Sequence, residues 1–154
     1  DQAHLSLSEQ IKAHSCDRVY QAVVYGRMKE PEGRVDAPIG RNPLERKEMC
    51  VTAKNSKEAV TNYRVLQEYE GFSHLELRLE TGRTHQIRVH MAYLGHPVAG
   101  DPVYGPKKVI KSLEGQCLHA KSIAFDHPVT GERMRFDSEL PTYFTDFLRT
   151  LRPL

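Results

Sequence analysis

Residues 79–91 read LETGRTHQIRVHM, and the spacing of the apolar residues changes within this stretch. Before it, Leu75, Leu77 and Leu79 alternate with polar residues, which is the pattern of a half-buried strand. After residue 86 the apolar residues fall at helical spacing, with Thr84 as the predicted N-cap. We therefore predict a strand that turns sharply into a helix, with Gly82 adopting the positive φ that such a corner often needs.

The predicted corner concentrates polar side chains: an acid, two arginines, two histidines and an amide. The start of a helix exposes backbone N–H groups and the positive end of the helix dipole, and both favour an anion. Rigid elements on either side would hold these groups in place. The sequence therefore predicts that the corner binds a phosphate or pairs with a catalytic carboxylate.

The rest of the chain predicts one α+β domain over residues 1–154, with a mixed, largely antiparallel sheet and a few flanking helices. Strands are predicted near 18–25, 49–53, 60–69, 73–80, 121–126 and 132–137. Helices are predicted at 4–13 and at the C-terminus, where Phe144, Phe147, Leu148 and Leu151 repeat at helical spacing.

Two further expectations concern the regions between and within these elements. Residues 27–47 are rich in proline and glycine, which predicts a long irregular excursion. On the last two strands, four apolar side chains are expected to point inward: Ile123, Phe125, Met134 and Phe136.

Composition bounds the function only broadly. The chain has 39% hydrophobic and 27% charged residues, ordinary values for a globular protein, and its formal net charge is +2. That charge is too small to identify a nucleic-acid partner, although local basic clusters would form a phosphate-binding surface if they share a face. The alternative is that they are scattered solvated charges. No apolar run approaches the length of a membrane span, so we expect no membrane association.

The spacing of the cysteines and histidines bears on the cellular compartment and on metal binding. Cys16, Cys50 and Cys117 are odd in number and far apart, which predicts reduced thiols and a cytoplasmic protein. The histidines of the 79–105 region are separated by five or six residues, unlike a zinc pair on a helix. We therefore predict no metal site.

The longer run 79–105, LETGRTHQIRVHMAYLGHPVAGDPVYG, resembles the signature of the RluA-type pseudouridine synthases, which isomerise uridine in structured RNA. Further stretches agree with this family in order: RVYQAVVYG at 18–26, GRVDAPIG at 33–40, CLHA at 117–120 and HPVTGE at 127–132. The resemblance covers nearly the whole chain. It implies a pseudouridine synthase fold, an RNA substrate and no metal or organic cofactor.

The resemblance also implies a catalytic aspartate that this sequence lacks. In the family the aspartate lies in a His-Arg-Leu-Asp loop followed by Thr-Ser-Gly, and by family spacing that loop would fall just before Asp1. The chain thus resembles a C-terminal part of the catalytic domain, truncated at its N-terminus. Asp101 has a supporting place in the family pattern, and an Asp-Pro turn capped by its carboxylate explains it.

Two catalytic residues are implied by the resemblance. Arg88 matches the second arginine of the family motif, and its guanidinium could hold the catalytic carboxylate through two hydrogen bonds. Tyr20 matches the tyrosine of the family's Tyr-x-Ala strand and could stack on uracil. The two should border one pocket. The alternatives are a surface arginine on a helix and a tyrosine that merely packs in the core.

Arg83, Thr84, His85 and Gln86 are the candidate substrate-binding residues. Arg83 and the helix start could contact an RNA phosphate. His85 and Gln86 could equally be hydrogen-bond partners that stabilise the corner.

The sequence thus predicts a cytoplasmic, monomeric protein that isomerises uridine in ribosomal or transfer RNA, with this chain alone inactive for lack of the aspartate. A non-catalytic RNA-binding module with the same fold is the alternative. A phosphodiesterase or phosphatase is a more distant possibility, because no nucleophile and metal set is evident.

Overall fold

The elements of the fold follow the predicted order along most of the chain. The computed structural model describes residues 2–12, 15–108 and 110–154, apart from the side chain of residue 12. The helices are α1 (Gln2–Lys12), α2 (Gln86–Tyr93) and α3 (Thr142–Thr150), with a short 3₁₀ turn at Lys111–Leu113. The strands are β1 (Asp17–Tyr25), β2 (Glu32–Asp36), β3 (Ile39–Arg41), β4 (Met49–Val51), β5 (Ser56–Lys57), β6 (Val60–Tyr69), β7 (Phe72–Leu79), β8 (Leu118–Asp126) and β9 (Arg133–Asp137). Residue 13, the predicted end of the first helix, lies outside the described residues.

Two antiparallel sheets carry the architecture. The larger has six strands in the order β2-β6-β7-β1-β8-β9, and the smaller has the order β4-β3-β5. The β-branched and aromatic β1 is central, with Val23 opposite His74 of β7, and it pairs with β8 on its other side. This confirms the predicted α+β class. All strand pairs in the described chain are antiparallel.

The alternation of β1 places its side chains in two separate cores. Ala22 and Val24 lie in a cluster with Ile87 and Met91 of α2. Val23 lies in a cluster on the other face with Phe144 and Phe147 of α3. We call these the α2 face and the α3 face of the sheet. The candidate site is built on the α2 face.

The prediction of an irregular excursion at 27–47 is wrong, because β2 and β3 form within it. Its three prolines lie outside the strands: Pro31 before β2, Pro38 between β2 and β3, and Pro43 after β3. Proline cannot donate to a strand ladder, so it is tolerated at strand ends. The prolines separate short strands, whereas their frequency in the sequence predicts a continuous loop.

The inward orientation predicted for the last two strands is wrong for two of the four side chains. Ile123 and Phe136 are cross-strand partners and are 37% and 53% exposed. Phe125 and Met134 are half-buried, and Phe125 stacks on Phe136 with ring centroids 6.0 Å apart. Ile123 also pairs with Arg18 of β1. An apolar patch therefore lies open beside the start of β1.

None of the helices in the described ranges is long and apolar enough to cross a membrane.

Candidate active site

The corner between β7 and α2 is closed by the side chain of Gln86. Its Oε1 accepts hydrogen bonds from the Thr81 hydroxyl at 2.7 Å and from the Arg83 backbone N–H at 3.0 Å. The N-cap position belongs to His85, whose φ of 56° is left-handed, and its side chain makes no cap bond. The prediction of a Thr84 cap is therefore wrong: the N-cap is His85, and the amide of Gln86 accepts hydrogen bonds from residues that precede the helix.

Gly82 does not adopt the predicted positive φ. It is not among the residues with positive φ, and the left-handed conformation falls on His85 instead. A Cβ at Gly82 would come into close contact with Nη1 of Arg18, the flexible tip of a side chain from β1. The predicted positive φ is therefore wrong, and the neighbour of Gly82 is a residue that only the tertiary structure brings there.

Gln86 and His90 belong to one buried hydrogen-bond network. Gln86 Nε2 donates to the Val60 carbonyl and to the Thr61 hydroxyl, both at 2.9 Å. His90 Nε2 lies 2.9 Å from the Ala37 carbonyl, which can only accept, so this nitrogen carries the proton. His90 Nδ1 then accepts from Thr61 at 2.8 Å. Burial lowers the pKa of His90 and keeps the ring neutral. These bonds give Gln86 the corner-stabilising role that the sequence left open.

Arg88 and Asp101 form a buried two-pronged ion pair. Arg88 Nε donates to Asp101 Oδ2 at 2.8 Å and Nη2 donates to Oδ1 at 2.9 Å, with the Asp101 side chain fully buried. Asp101 Oδ1 also accepts the backbone N–H groups of Val103 and Tyr104, which confirms the predicted capped turn. Burial alone would raise the pKa of Asp101, but the hydrogen bonds from Arg88 and the two N–H groups outweigh it and hold the pKa below its ordinary value.

Tyr104 connects this ion pair to the corner. Its ring centroid lies 5.1 Å from Arg88 Cζ, within cation–π distance. Its hydroxyl accepts the Met49 N–H at 2.9 Å and lies within hydrogen-bond distance of His85 Nδ1, at 2.8 Å. Burial and then the charge of Arg88 lower the pKa of His85, which favours the neutral ring.

Arg83 faces outward from the corner. Its Nε donates to the Glu58 carbonyl at 2.7 Å, which fixes the start of the guanidinium. A cavity of about 350 Å³ lies between the corner and the smaller sheet, and three cations line it: Arg41, Lys57 and Arg83. Thr84 also lines this cavity, and no carboxylate is among the lining residues. The arrangement can accept an anion such as a phosphate.

Tyr20 lies on the α2 face, packed against the cluster that contains Ile87. It also lines a cavity of about 290 Å³ whose apolar walls include Ile123 and Phe136. Arg88 does not line this cavity, since its guanidinium is turned toward Asp101. The structure thus places Tyr20 and Arg88 on one side of the sheet without joining them in a common pocket.

Comparison with known proteins identifies the family of this chain. A family model described as RNA pseudouridylate synthase matches residues 1–93. The chain belongs to this family.

Relatives in other organisms extend the match over nearly the whole chain. An uncharacterized RNA pseudouridine synthase of Bacillus subtilis, YlyB, is 48% identical over 152 residues, covering 99% of this chain and 50% of the relative. The ribosomal large subunit pseudouridine synthase D of Pseudomonas aeruginosa is 42% identical over 163 residues, covering 98% and 50%. The chain spans about half the length of these curated relatives.

A solved structure shares the fold of this family member. The human RNA pseudouridylate synthase domain containing 1 protein superposes with a TM-score of 0.79 at 28% sequence identity. The match covers 97% of this chain and 64% of the human chain.

Two residues that belong to the site geometry were not among the predicted site residues. Tyr104 stands in the GDPVYG part of the family motif, so its place in a long matching run was the available signal. Arg18 stands two residues before Tyr20, and on a strand such residues share a face. From that spacing, Arg18 could have been predicted as a site residue.

Other features of this pseudouridine synthase chain add no second site. Within 2–12, 15–108 and 110–154, no group of three or more His, Cys, Asp or Glu side chains could hold a metal ion. A polar cavity of about 580 Å³ opens on the α3 face, but Arg133 pairs with Asp17 and Asp126 there, and Arg135 pairs with Asp137. Most of its charges are therefore engaged in ion pairs within the protein.

Proposed function

We propose that this chain acts in the isomerisation of uridine to pseudouridine in structured RNA, either ribosomal or transfer RNA. The reaction breaks the C1′–N1 bond, turns the uracil and joins C5 to C1′, and C5 loses its proton while N1 takes one up. The observation that carries the proposal is the position of Tyr20, which lines a cavity of nucleobase size on the same side of the sheet as Arg88. An aromatic wall of this kind suits a base that has been extruded from the RNA.

The proposed role of Arg88 is to orient the catalytic carboxylate. In the described chain its Nε and Nη2 are engaged by Asp101, which leaves Nη1 as the donor for a second anion. The ion pair and the Tyr104 ring fix the guanidinium before any substrate arrives. A fixed donor of this type contributes to catalysis because it need not reorganise during the reaction.

The proposal includes that the chain by itself does not isomerise uridine. Asp101 is the aspartate nearest to Arg88, but it is fully buried and saturated with hydrogen bonds. Asp36 and Asp126 end strands and pair with arginines at the surface. None of these carboxylates is free to attack or deprotonate a nucleotide.

The first test is release of tritium from RNA that carries uridine labelled at C5. We expect no release by the 154-residue chain and clear release by the longer Bacillus subtilis relative under the same conditions. Turnover by the chain would show that one of its own residues performs the role of the missing aspartate, and the assignment of that role would be wrong.

The second test changes the arginine aligned with Arg88 in that longer relative. Substitution by alanine should lower the single-turnover rate about 10²-fold or more, the scale of a lost electrostatic donor. Lysine should retain part of the rate because it keeps the charge without the planar fork. RNA affinity should change little. A normal single-turnover rate with weakened binding would instead make this arginine an RNA contact.

A second candidate function is a non-catalytic RNA-binding module, favoured by the three cations that line the cavity near the corner. It predicts RNA binding without tritium release even when the catalytic loop of a relative is supplied to this chain by fusion. Pseudouridine formation by such a fusion would exclude it.

Cytoplasmic location and a monomeric state remain parts of the proposal. Burial raises the pKa of Cys117 to about 12, which makes this thiol unreactive, and all three cysteines are free. Light scattering during gel filtration measures the oligomeric state directly.

A further inference from the structure

Arg18 has a guanidinium nitrogen without a hydrogen-bond partner. Its Nε is buried and has no hydrogen-bond partner, and it is the only buried side-chain nitrogen or oxygen of which this holds in the described parts of the chain. Buried polar groups in native proteins are nearly always satisfied, so each exception calls for a physical reason. A ligand that supplies the acceptor is one such reason.

The position of Arg18 is specific. It lies on β1 two residues before Tyr20, and both residues line the cavity of about 290 Å³. The tip of the Arg18 guanidinium lies beside Gly82. Arg18 therefore extends from the cavity of Tyr20 to the corner that carries Arg83.

The surroundings leave the charge of Arg18 uncompensated. Asp137 is the one carboxylate among the residues that line the cavity, and it is engaged by Lys121 and Arg135. The other walls are apolar or hydroxyl-bearing. A ligand that neutralises Arg18 in this cavity must therefore be negatively charged.

We propose that Arg18 binds a phosphate of the RNA strand next to the nucleotide whose base lies against Tyr20. The inference rests on the proposed function, because it takes the RNA substrate from it. A guanidinium offers a planar pair of donors that matches two phosphate oxygens, whereas a base edge needs a mixed set of donors and acceptors. Side chains at i and i+2 of a strand are about 7 Å apart on one face, which lets the base and the phosphate of neighbouring positions be held together.

The test combines Arg18→Met with RNA in which single phosphates are made neutral. A fluorescent RNA stem-loop with one unpaired uridine is titrated with the chain, and methylphosphonate replaces one phosphate at a time around that uridine. For the wild-type chain we expect about a tenfold loss of affinity at one position, the scale of a charge-assisted hydrogen bond. Arg18→Met should bind the unmodified RNA about tenfold more weakly and lose almost nothing further at that position.

Arg149→Met is the matched control, because Arg149 is exposed on α3 and pairs only with Asp146. It removes the same charge from the α3 face and should leave the position-specific loss unchanged. Arg18→Met should also lower the slope of log affinity against log salt by about one, and Arg149→Met should not.

The outcomes separate this inference from the function on which it rests. If the wild-type chain binds no RNA, the proposed function fails for this chain and the inference fails with it. If the wild type binds RNA but Arg18→Met keeps the same sensitivity to methylphosphonate, the proposed function survives and Arg18 is not the phosphate contact. Unchanged RNA binding by Arg18→Met would then favour a protein carboxylate as its partner. Arg18→Lys, with its charge retained, should recover part of the affinity.

Discussion

The corner at residues 81–90 and the open cavity beside Tyr20 lie on the same side of the sheet. Their polar groups differ in whether they have hydrogen-bond partners within the protein. In the corner, Gln86 and His90 use their hydrogen-bonding groups within the protein. In the cavity, Arg18 has a buried nitrogen without a partner, and Ile123 and Phe136 are exposed. The corner is a scaffold held by hydrogen bonds within the protein, whereas the cavity leaves one buried donor without an acceptor.

The difference explains how one motif can be both structural and functional. Most polar residues of the GRTHQIRVH segment hold the corner rigid, and only Arg83 and Arg88 retain guanidinium donors that a ligand could use. Rigid placement matters because a catalytic donor must be held close to its productive position. The many polar residues of the motif therefore serve mainly to hold the corner rigid before a ligand binds.

The largest expected effect comes from breaking the buried ion pair of the scaffold. Asp101→Asn leaves Arg88 buried beside a neutral partner and should lower the free energy of unfolding by about 3 kcal/mol. Asp146→Asn makes the same chemical change in an exposed pair with Arg149 and should cost less than about 0.5 kcal/mol. Urea unfolding at pH 7 measures both. Equal losses would remove the distinction between scaffold and surface.

Removing the amide at the centre of the corner should have the next largest effect. Gln86→Ala leaves the Thr81 hydroxyl and the Arg83 N–H without their acceptor, at about 2–3 kcal/mol of unfolding free energy. Gln67→Ala is the control, because that exposed amide bonds only to the Glu68 carbonyl. Hydrogen exchange should speed up at the Arg83 amide in the first variant and not in the second. If the Arg83 amide exchanges equally slowly in Gln86→Ala, Gln86 is not the acceptor that protects it.

Acid should weaken the fold through two histidines whose pKa is lowered in the folded protein. Burial lowers the pKa of His74 to about 4, and it also lowers that of His90. Below the unfolded-state pKa near 6.5 the unfolded chain binds more protons than the folded chain, so stability falls as the pH drops from about 6.5 toward 4. For His74 the loss should reach about 2 kcal/mol near pH 4.5. Urea unfolding of wild type and His74→Gln at pH 7.5, 6 and 5 tests this, since the variant should show the smaller decline.

The smallest expected effect on stability is at the open cavity. Arg18→Met removes a buried donor that has no partner, so the free energy of unfolding should stay within about 0.5 kcal/mol of wild type or rise. The Tm from circular dichroism, read beside that of Gln86→Ala, measures the contrast. A loss above about 1 kcal/mol would mean that Arg18 belongs to the scaffold, and the comparison between the two regions would fail.

The sequence by itself determined the elements whose periodicity is unambiguous. The alternation along β1 and β7 and the helical spacing of α3 gave strands and a helix within a residue or two of those observed. The capped turn at Asp101 followed from local chemistry as well. The family was also recognisable from the sequence, because the motif at 79–105 is long.

Only the tertiary structure decided what depends on residues distant in the chain. Arg18 reaches Gly82 from 64 positions away. Burial between distant segments lowers the pKa of His90, whose ring nitrogens contact Thr61 and Ala37. Ile123 and Phe136 are exposed although their pattern matches a buried strand. Periodicity reports which side chains share a face. Whether that face is covered, and which charge is left without a partner, depends on packing between distant segments, which no local pattern encodes.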